Sequence, residues 1–383
     1  MIPLFRAAAL LLFSAMTIAT AEAAAPPPHN PPQGAHAPFV FGHRGASAYR
    51  PEHTLASYDL AIAMGADFVE PDLVSTKDGV LVCRHENYIG GDSSAIVGGD
   101  TTDVASHPEF AARKTTKVID GVSLTGWFVE DFTLAELKTL RAKERLPQLR
   151  PANAGYDGRF EVPTFQEMID LVKKRDTETG RRIGIIPETK HPSYFQSIGL
   201  ALEEPLVKAL KANGYDSADA PVFIQSFEVA NLVKLRSMTK ARLVQLVEAP
   251  TARPQDFVIA GDKRTYADLM TPAGLKQLRA HADAIGPEKG WIIPRDAAGN
   301  LLAPTTLVAD AHAAGLLVTP YTFRPENYFL PLNLRKGDDL RAYGDDAAEF
   351  AAFLKAGVDA IFADAPDRAR AAVDAFAPAS SRR

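Results

Sequence analysis

Residues 41–87 read FGHRGASAYRPEHTLASYDLAIAMGADFVEPDLVSTKDGVLVCRHEN. Two β-rich runs, 67–75 and 80–85, flank an Asp78-Gly79 pair, and Asp-Gly between such runs is the strongest short-range hairpin signal. With Asp78 and Gly79 as a two-residue turn, Lys77 faces Val80, which sets Asp72 opposite His85 and Glu70 opposite Asn87. Directly opposed side chains stand about 5 Å apart at Cβ, and alternation along the strand puts Glu70 and Asp72 on one face with His85. Two carboxylates beside an imidazole suit a hard metal ion next to a proton carrier. A polar patch on a hairpin explains any one of these residues alone. It does not explain the whole set, with His43 and Arg44 just upstream.

Outward from this stretch, short β-branched runs alternate with amphipathic helical stretches, the pattern of a parallel α/β fold. Strands are predicted over 39–43, 67–72, 183–188, 222–226, 242–247, 283–286, 316–321 and 359–363. Helices are predicted over 54–64, 164–176, 198–212, 228–236, 273–280, 304–313, 345–355 and 366–375, with Thr164 and Glu167 as a capping box. Eight strands, each followed by a helix, make a TIM-type (β/α)8 barrel, with the hairpin and an inserted segment after strand 2. A doubly wound sheet would carry a Gly-rich strand-to-helix fingerprint, and none appears. Segments 88–160, with a short helix at 133–142, and 250–272 interrupt the repeat, and a third excursion follows Tyr321. All fall in βα loops, on the face where barrels place their chemistry.

Composition sets bounds. With 46% apolar residues in 383, the chain can bury a barrel-sized core. A net charge of −5 gives no basic footprint, so a nucleic-acid partner is not expected. Residues 1–25 carry Arg6, an apolar run from Ala7 to about Ala19 and small residues before Pro26, the order of a cleavable signal peptide. The run is shorter than the roughly 20 residues of a spanning helix, so a periplasmic or secreted protein with no stable membrane insertion after cleavage is expected. Residues 26–38 read as a proline-rich linker, 39–375 as the barrel and 376–383 as a tail. The single cysteine, Cys83, precludes an intrachain disulfide and reads as a small buried hydrophobe.

Polar residues recur at predicted strand ends: His43 and Arg44, Glu70 and Asp72, Glu188 and Lys190, Gln225 and Ser226, then Gln245, Tyr321 and Asp364. Charge at the end of an apolar strand is expensive to bury unless a ligand or ion offsets it. Glu70, Asp72 and Glu188 make an oxygen-rich set suited to Ca²⁺, with Mg²⁺ as the alternative, rather than to zinc. An ion there, with Arg44 and Lys190 alongside, would neutralise a phosphate. A histidine pair can serve the attacking and leaving oxygens in turn. His53 and His191 read as neighbours of the site, and His107, His281 and His312 as surface residues.

With these residues in place the chain resembles the glycerophosphodiester phosphodiesterases, bacterial periplasmic type, over nearly all of the mature sequence. The resemblance rests on HRGASAYRPEHTL (43–55), ADFVEPDLVSTKDGVLVCRHE (66–86), IGIIPETKHP (183–192), FIQSFE (223–228), DAIGP (283–287), VTPYTFRPEN (318–327) and AGVDAIFADAPDRA (356–369). It implies a TIM-type barrel with an insert after the hairpin. It further implies His43 and His85 as the acid/base pair, Glu70, Asp72 and Glu188 as metal ligands, and Arg44 and Lys190 at the phosphate. Glu52 falls at the family's acidic position after the first motif, toward the substrate. Glu86 stands where the family has aspartate, and Phe323 where many members have tryptophan, a position tied to the leaving group. The implied reaction is metal-dependent hydrolysis of a small-molecule glycerophosphodiester to sn-glycerol 3-phosphate and an alcohol. The rival readings are a phospholipase of the same fold acting on intact lipid and a non-catalytic secreted binding protein.

Overall fold

A computed structural model of the protein describes residues 37–92 and 99–376. The expected signal peptide, the linker up to residue 36 and the tail beyond residue 376 lie outside the described residues. All eight expected strands form: Phe39–Gly42, Phe68–Val69 continued as Asp72–Ser75, Gly184–Ile185 continued as Glu188–Thr189, Phe223–Ser226, Arg242–Val247, Ala284–Pro287, Leu317–Val318 and Ala360–Ala363. Neighbours pair in parallel in sequence order, and the first strand also pairs with the eighth. The ring closes between strands seven and eight, where Asp359 N donates to Val318 O (2.9 Å) and Phe323 N to Phe362 O (2.8 Å).

Strands two and three, expected to be continuous, are each broken at a proline, Pro71 and Pro187. Proline has no N–H for the ladder, yet both carbonyls still accept: Glu188 N donates to Pro71 O (3.0 Å) and Gln225 N to Pro187 O (2.8 Å). The register past the breaks sets Asp72 beside Glu188 and Glu188 beside Gln225. Phe41, Phe68, Phe223 and Phe362 fill the barrel interior, with rings 4.8 Å (Phe41 to Phe362) and 5.0 Å (Phe41 to Phe68) apart. Each lies two residues before a polar strand-end residue: His43, Glu70, Gln225 and Asp364. Strand alternation therefore stacks a polar layer directly on an aromatic one.

Helices sheath the ring where the periodicity predicts them. Leu55–Ala63 starts where Thr54 accepts from Ser57 N, and Phe165–Thr179 carries the Thr164/Glu167 capping box. None of the helices among the described residues is long and apolar enough to cross a membrane. The segment after the hairpin, expected to hold one short helix, contains an antiparallel sheet of Tyr88–Gly91, Thr115–Ile119 and Val122–Phe128. The helix expected at 133–142 is only Leu134–Leu137, and a second short one, Pro151–Ala154, follows.

The hairpin forms one residue out of the expected register, with Leu73 facing Cys83, Val74 facing Val82 and Ser75 facing Leu81. Its loop has three residues, Lys77-Asp78-Gly79, with Gly79 at φ +79°. Thr76 closes the loop from both sides, its N donating to Val80 O and its Oγ1 accepting from Val80 N. Asp72 accordingly faces Arg84, not His85, and Arg84 N donates to Asp72 O (2.8 Å). The ladder ends at Cys83, so His85 reaches the carboxylates by leaving the strand rather than by parity.

Candidate active site

The first strand ends in a tight turn. Arg44 takes the left-handed region (φ 59°) and so does Gly45 (φ 88°), where an added Cβ would come within 2.8 Å of Ser57. This turn aims Arg44 N at Glu70 Oε2 (3.0 Å). The Arg44 guanidinium donates from Nη1 to Glu52 Oε2 (2.9 Å) and holds Nε 3.6 Å from Asp72 Oδ2. Glu52 also accepts from Arg145 Nε (2.9 Å). Buried between two guanidinium groups, Glu52 fixes Arg44 and does not line the cavity, contrary to its expected role toward substrate.

Glu70, Asp72 and Glu188 converge as expected. Each is buried, and one oxygen from each lies within 4.8 Å of the others. Gln225 Nε2 donates to Glu70 Oε1 (2.8 Å), His53 Nε2 to Asp72 Oδ2 (2.9 Å) and Lys190 Nζ to Glu188 Oε1 (2.9 Å). Asp72 Oδ1 is buried with no hydrogen-bond partner. Burial and the two neighbouring carboxylates push Glu70 well above the usual range, and burial with Asp72 pushes Glu188 up to about 7 despite Lys190. Burial works against the Asp72 carboxylate, yet His53 and Arg44 hold it below the usual range. Three buried carboxylates that the local cations leave under-neutralised, one with an orphaned oxygen, fit a hard divalent cation.

The two expected histidines flank the triad in matching orientation. His43 Nδ1 donates to Asp364 Oδ1 (2.5 Å), leaving Nε2 3.4 Å from Thr322 Oγ1 and 3.9 Å from Glu70 Oε2. His85 Nδ1 lies 2.8 Å from Glu86 Oε1, and its Nε2 is 3.5 Å from Lys190 Nζ. Burial and the Arg44 charge lower His43 to about 4; burial, Arg44 and Lys190 lower His85 to about 3. Burial and the neighbouring cations favour the neutral form of both rings, each with a carboxylate at Nδ1; His43 Nε2 meets Thr322 Oγ1 and His85 Nε2 accepts from Lys190 Nζ.

Residues 43–368 match the model of the glycerophosphoryl diester phosphodiesterase family. The chain belongs to this family. It is 38% identical over 340 residues to a glycerophosphodiester phosphodiesterase of Arabidopsis thaliana, covering 85% of this chain and 83% of that protein. It is 28% identical over 354 residues to one from Haemophilus influenzae, covering 86% and 88%. Its fold matches a solved Silicibacter pomeroyi protein (TM-score 0.62, 19% identity, 90% of this chain and 95% of that one). It also matches an Oleispira antarctica phosphodiesterase in complex with the product sn-glycerol-3-phosphate (TM-score 0.55, 21% identity, 88% and 97%).

In this phosphodiesterase the histidines, Arg44 and the triad open onto one cavity of about 760 Å³, continued by Phe227, Trp291, Leu301, Tyr321 and Phe329. Lys190 is not among its lining residues, but it touches two that are, Glu188 and His85. Phe323 is absent from the lining too. It is buried against Phe350 and Phe353 (5.4 and 5.0 Å) with Lys289 Nζ over its ring (5.2 Å), and since Phe353 and Lys289 do line the cavity, Phe323 stands one layer behind its wall.

Several supporting residues escape sequence reading. Arg150, in the insert, donates to Asp364 Oδ2 (2.5 Å) and Glu326 Oε1 (2.7 Å), and Arg324 Nε lies 3.1 Å from Asp364 Oδ2. Pairing across such separations leaves no local signal, although Asp364 itself is visible as a strand-end carboxylate. His53, a neighbour as expected, is clamped between Asp72 and Tyr58. His281 and His312, expected at the surface, are half-buried, and His312 bonds Asp359 Oδ2 (2.9 Å).

Proposed function

We propose that the enzyme is an exported, Ca²⁺-dependent hydrolase that splits glycerophosphodiesters such as glycerophosphocholine into sn-glycerol 3-phosphate and an alcohol. The observation that carries this reading is the matched pair of imidazoles beside one carboxylate triad, each held at Nδ1 by a carboxylate, with His43 Nε2 toward Glu70 and His85 Nε2 at the Lys190 that bonds Glu188. One Nε2 takes the proton of the attacking hydroxyl or water, and the other ring, which must enter the step as imidazolium, a form the negative charge of a bound phosphodiester favours, gives its Nε2 proton to the leaving alkoxide. Glu70, Asp72 and Glu188 would hold the cation, which when bound offsets phosphate charge. Arg44, fixed by Glu52 and Asp72, offers its guanidinium to a phosphate oxygen. Lys190 keeps Glu188 and His85 in place. An all-oxygen donor set supports Ca²⁺, with Mg²⁺ as its competitor. The order of charged, apolar and small residues in 1–25 supports export to the periplasm.

The test is turnover of glycerophosphocholine by purified enzyme after chelation and after return of Ca²⁺, Mg²⁺ or Zn²⁺. Loss with chelator and recovery with Ca²⁺ is expected; full turnover by chelated enzyme would make the carboxylates structural. N-terminal sequencing of exported protein should give a start near Ala24 or Pro26, and a start at Met1 would remove the signal peptide. One observation favours a second reading. The cavity wall at Leu301 and Phe329 runs into exposed Tyr328 and Leu332, an apolar rim that an intact lysolipid could use. Including a lysophosphatidylcholine in the panel decides between them.

A further inference from the structure

Behind His85 a chain of hydrogen bonds leads away from the cavity. Glu86 receives His85 Nδ1 on Oε1 (2.8 Å) and His191 Nε2 on Oε2 (2.8 Å), and His191 Nδ1 reaches Asp120 Oδ2 (2.6 Å). Asp120 belongs to the tip of the hairpin joining Thr115–Ile119 to Val122–Phe128, in the inserted segment, 71 positions before His191. Although burial opposes its charge, the hydrogen bonds to Asp120 and Glu86 push His191 up to about 10, so a cation sits between two anions at neutral pH. Among the described residues only four other than glycine have positive φ: Arg44, His53, Asp120 and His191. The first two belong to the triad's own support. Sparsely populated backbone conformations persist where the surroundings over-determine them and gather at functional sites. The other two are the outer members of this chain.

We propose that Asp120 and His191 are positioning residues for the hydrolysis, acting through Glu86 to fix the ring of His85 with Nε2 toward the substrate. Glu86 alone could hold Nδ1 in several ring orientations, because its side chain is partly exposed and its backbone adjoins that of His85. Pinned by His191 on its other oxygen, it offers one. The inserted hairpin thereby acts on the chemistry without entering the cavity. This rests on the reading of His85 as an acid/base residue.

The test uses the full-length enzyme and glycerophosphocholine. Asp120→Gly removes the carboxylate at a position where glycine accepts the left-handed turn, and Asp120→Asn keeps an acceptor for His191 in a conformation asparagine favours. Asp120→Gly should lower kcat about tenfold with KM unchanged, whereas Asp120→Asn should stay within about threefold of wild type. Glu86→Gln should lower kcat by about 10². The double variant Glu86→Gln with Asp120→Gly should be no slower than Glu86→Gln alone, since both act through one imidazole. A hairpin that merely stabilised the fold would shift the melting temperature and multiply with Glu86→Gln. Wild-type kcat in Asp120→Gly, a loss confined to KM, or multiplicative effects would overturn the proposal. His85→Ala separates the two levels: full turnover there removes the acid/base reading and this inference with it, while an inactive His85→Ala beside a normal Asp120→Gly removes only the inference.

Discussion

The carboxylate that receives the Nδ1 hydrogen bond of His43 lies 321 positions away in the chain, whereas the one that serves His85 is its neighbour Glu86. Asp364 projects from the end of a barrel strand, is buried, and is backed by Arg150 and Arg324, whose charges keep it ionised against the pull of burial. Glu86 sits partly exposed at the end of a hairpin and is backed by a single histidine. A guanidinium against a buried carboxylate defines the position of both groups. A carboxylate next in sequence to its imidazole moves with it and must be braced from outside. The two rings reach the same orientation by opposite means: one is anchored by the barrel and the other by a succession of side chains leading into the insert.

The largest effect expected tests whether the two rings are equals. His43→Ala and His85→Ala should each cost on the order of 10² to 10⁴ in kcat, and the double variant should be about as slow as either. Single-turnover assays on glycerophosphocholine check this, and wild-type turnover in either variant would break the pairing. A smaller effect separates the anchors. Asp364→Asn should lower kcat and also cost about 3–5 kcal/mol of stability, because it leaves Arg150 and Arg324 short of a buried partner. Glu86→Gln should lower kcat with a much smaller shift in denaturant midpoint. Equal stability losses would mean that the two anchors are alike.

The smallest effect is in pH. His191 is raised in the fold from 6.5 to about 10, so its contribution to stability is complete below pH 6.5 and fades as pH rises through about 10. The melting-temperature gap between wild type and His191→Asn should be constant below pH 6.5 and narrow between pH 7 and pH 10. A gap independent of pH over that range would show that the Glu86–His191–Asp120 ion pairs add nothing to folding.

Much of this was legible in the sequence, and for identifiable reasons. All eight strands and the site carboxylates could be placed because charge at the end of an apolar strand is conspicuous, and Glu70, Asp72 and Glu188 meet as expected. The hairpin register was not legible. Asp78, read as half of a two-residue turn, instead accepts from Thr76 Oγ1 (2.6 Å) and from Leu134 N (2.9 Å), more than fifty residues on, and a three-residue loop results. His85 still arrives in the site, because the chain leaves the ladder before parity can turn it away. Glu52 and Phe323 were given roles at the substrate, and neither lines the cavity. Glu52 is claimed by two arginines, and Phe323 packs behind Lys289 and Phe353. The insert's sheet was hidden by Gly90, Gly91 and Gly126, which interrupt the apolar alternation. Gly126 lies so close to Gly90 O that a Cβ there would approach to 2.2 Å.

Arg145, Arg150 and Asp120 all come from the segment between the second and third barrel strands, and they grip Glu52, Asp364 and His191 respectively. Anyone seeking a smaller catalyst would see that segment as the obvious piece to cut, since it contributes nothing to the ring of strands. The cut would unhook Arg44 and the supports of both histidines together, although Glu70, Asp72 and Glu188 all lie outside the piece removed. Transplanting the chemistry onto a plain barrel meets the same obstacle from the other side: the strand-end residues alone would be a copy of the site without its frame.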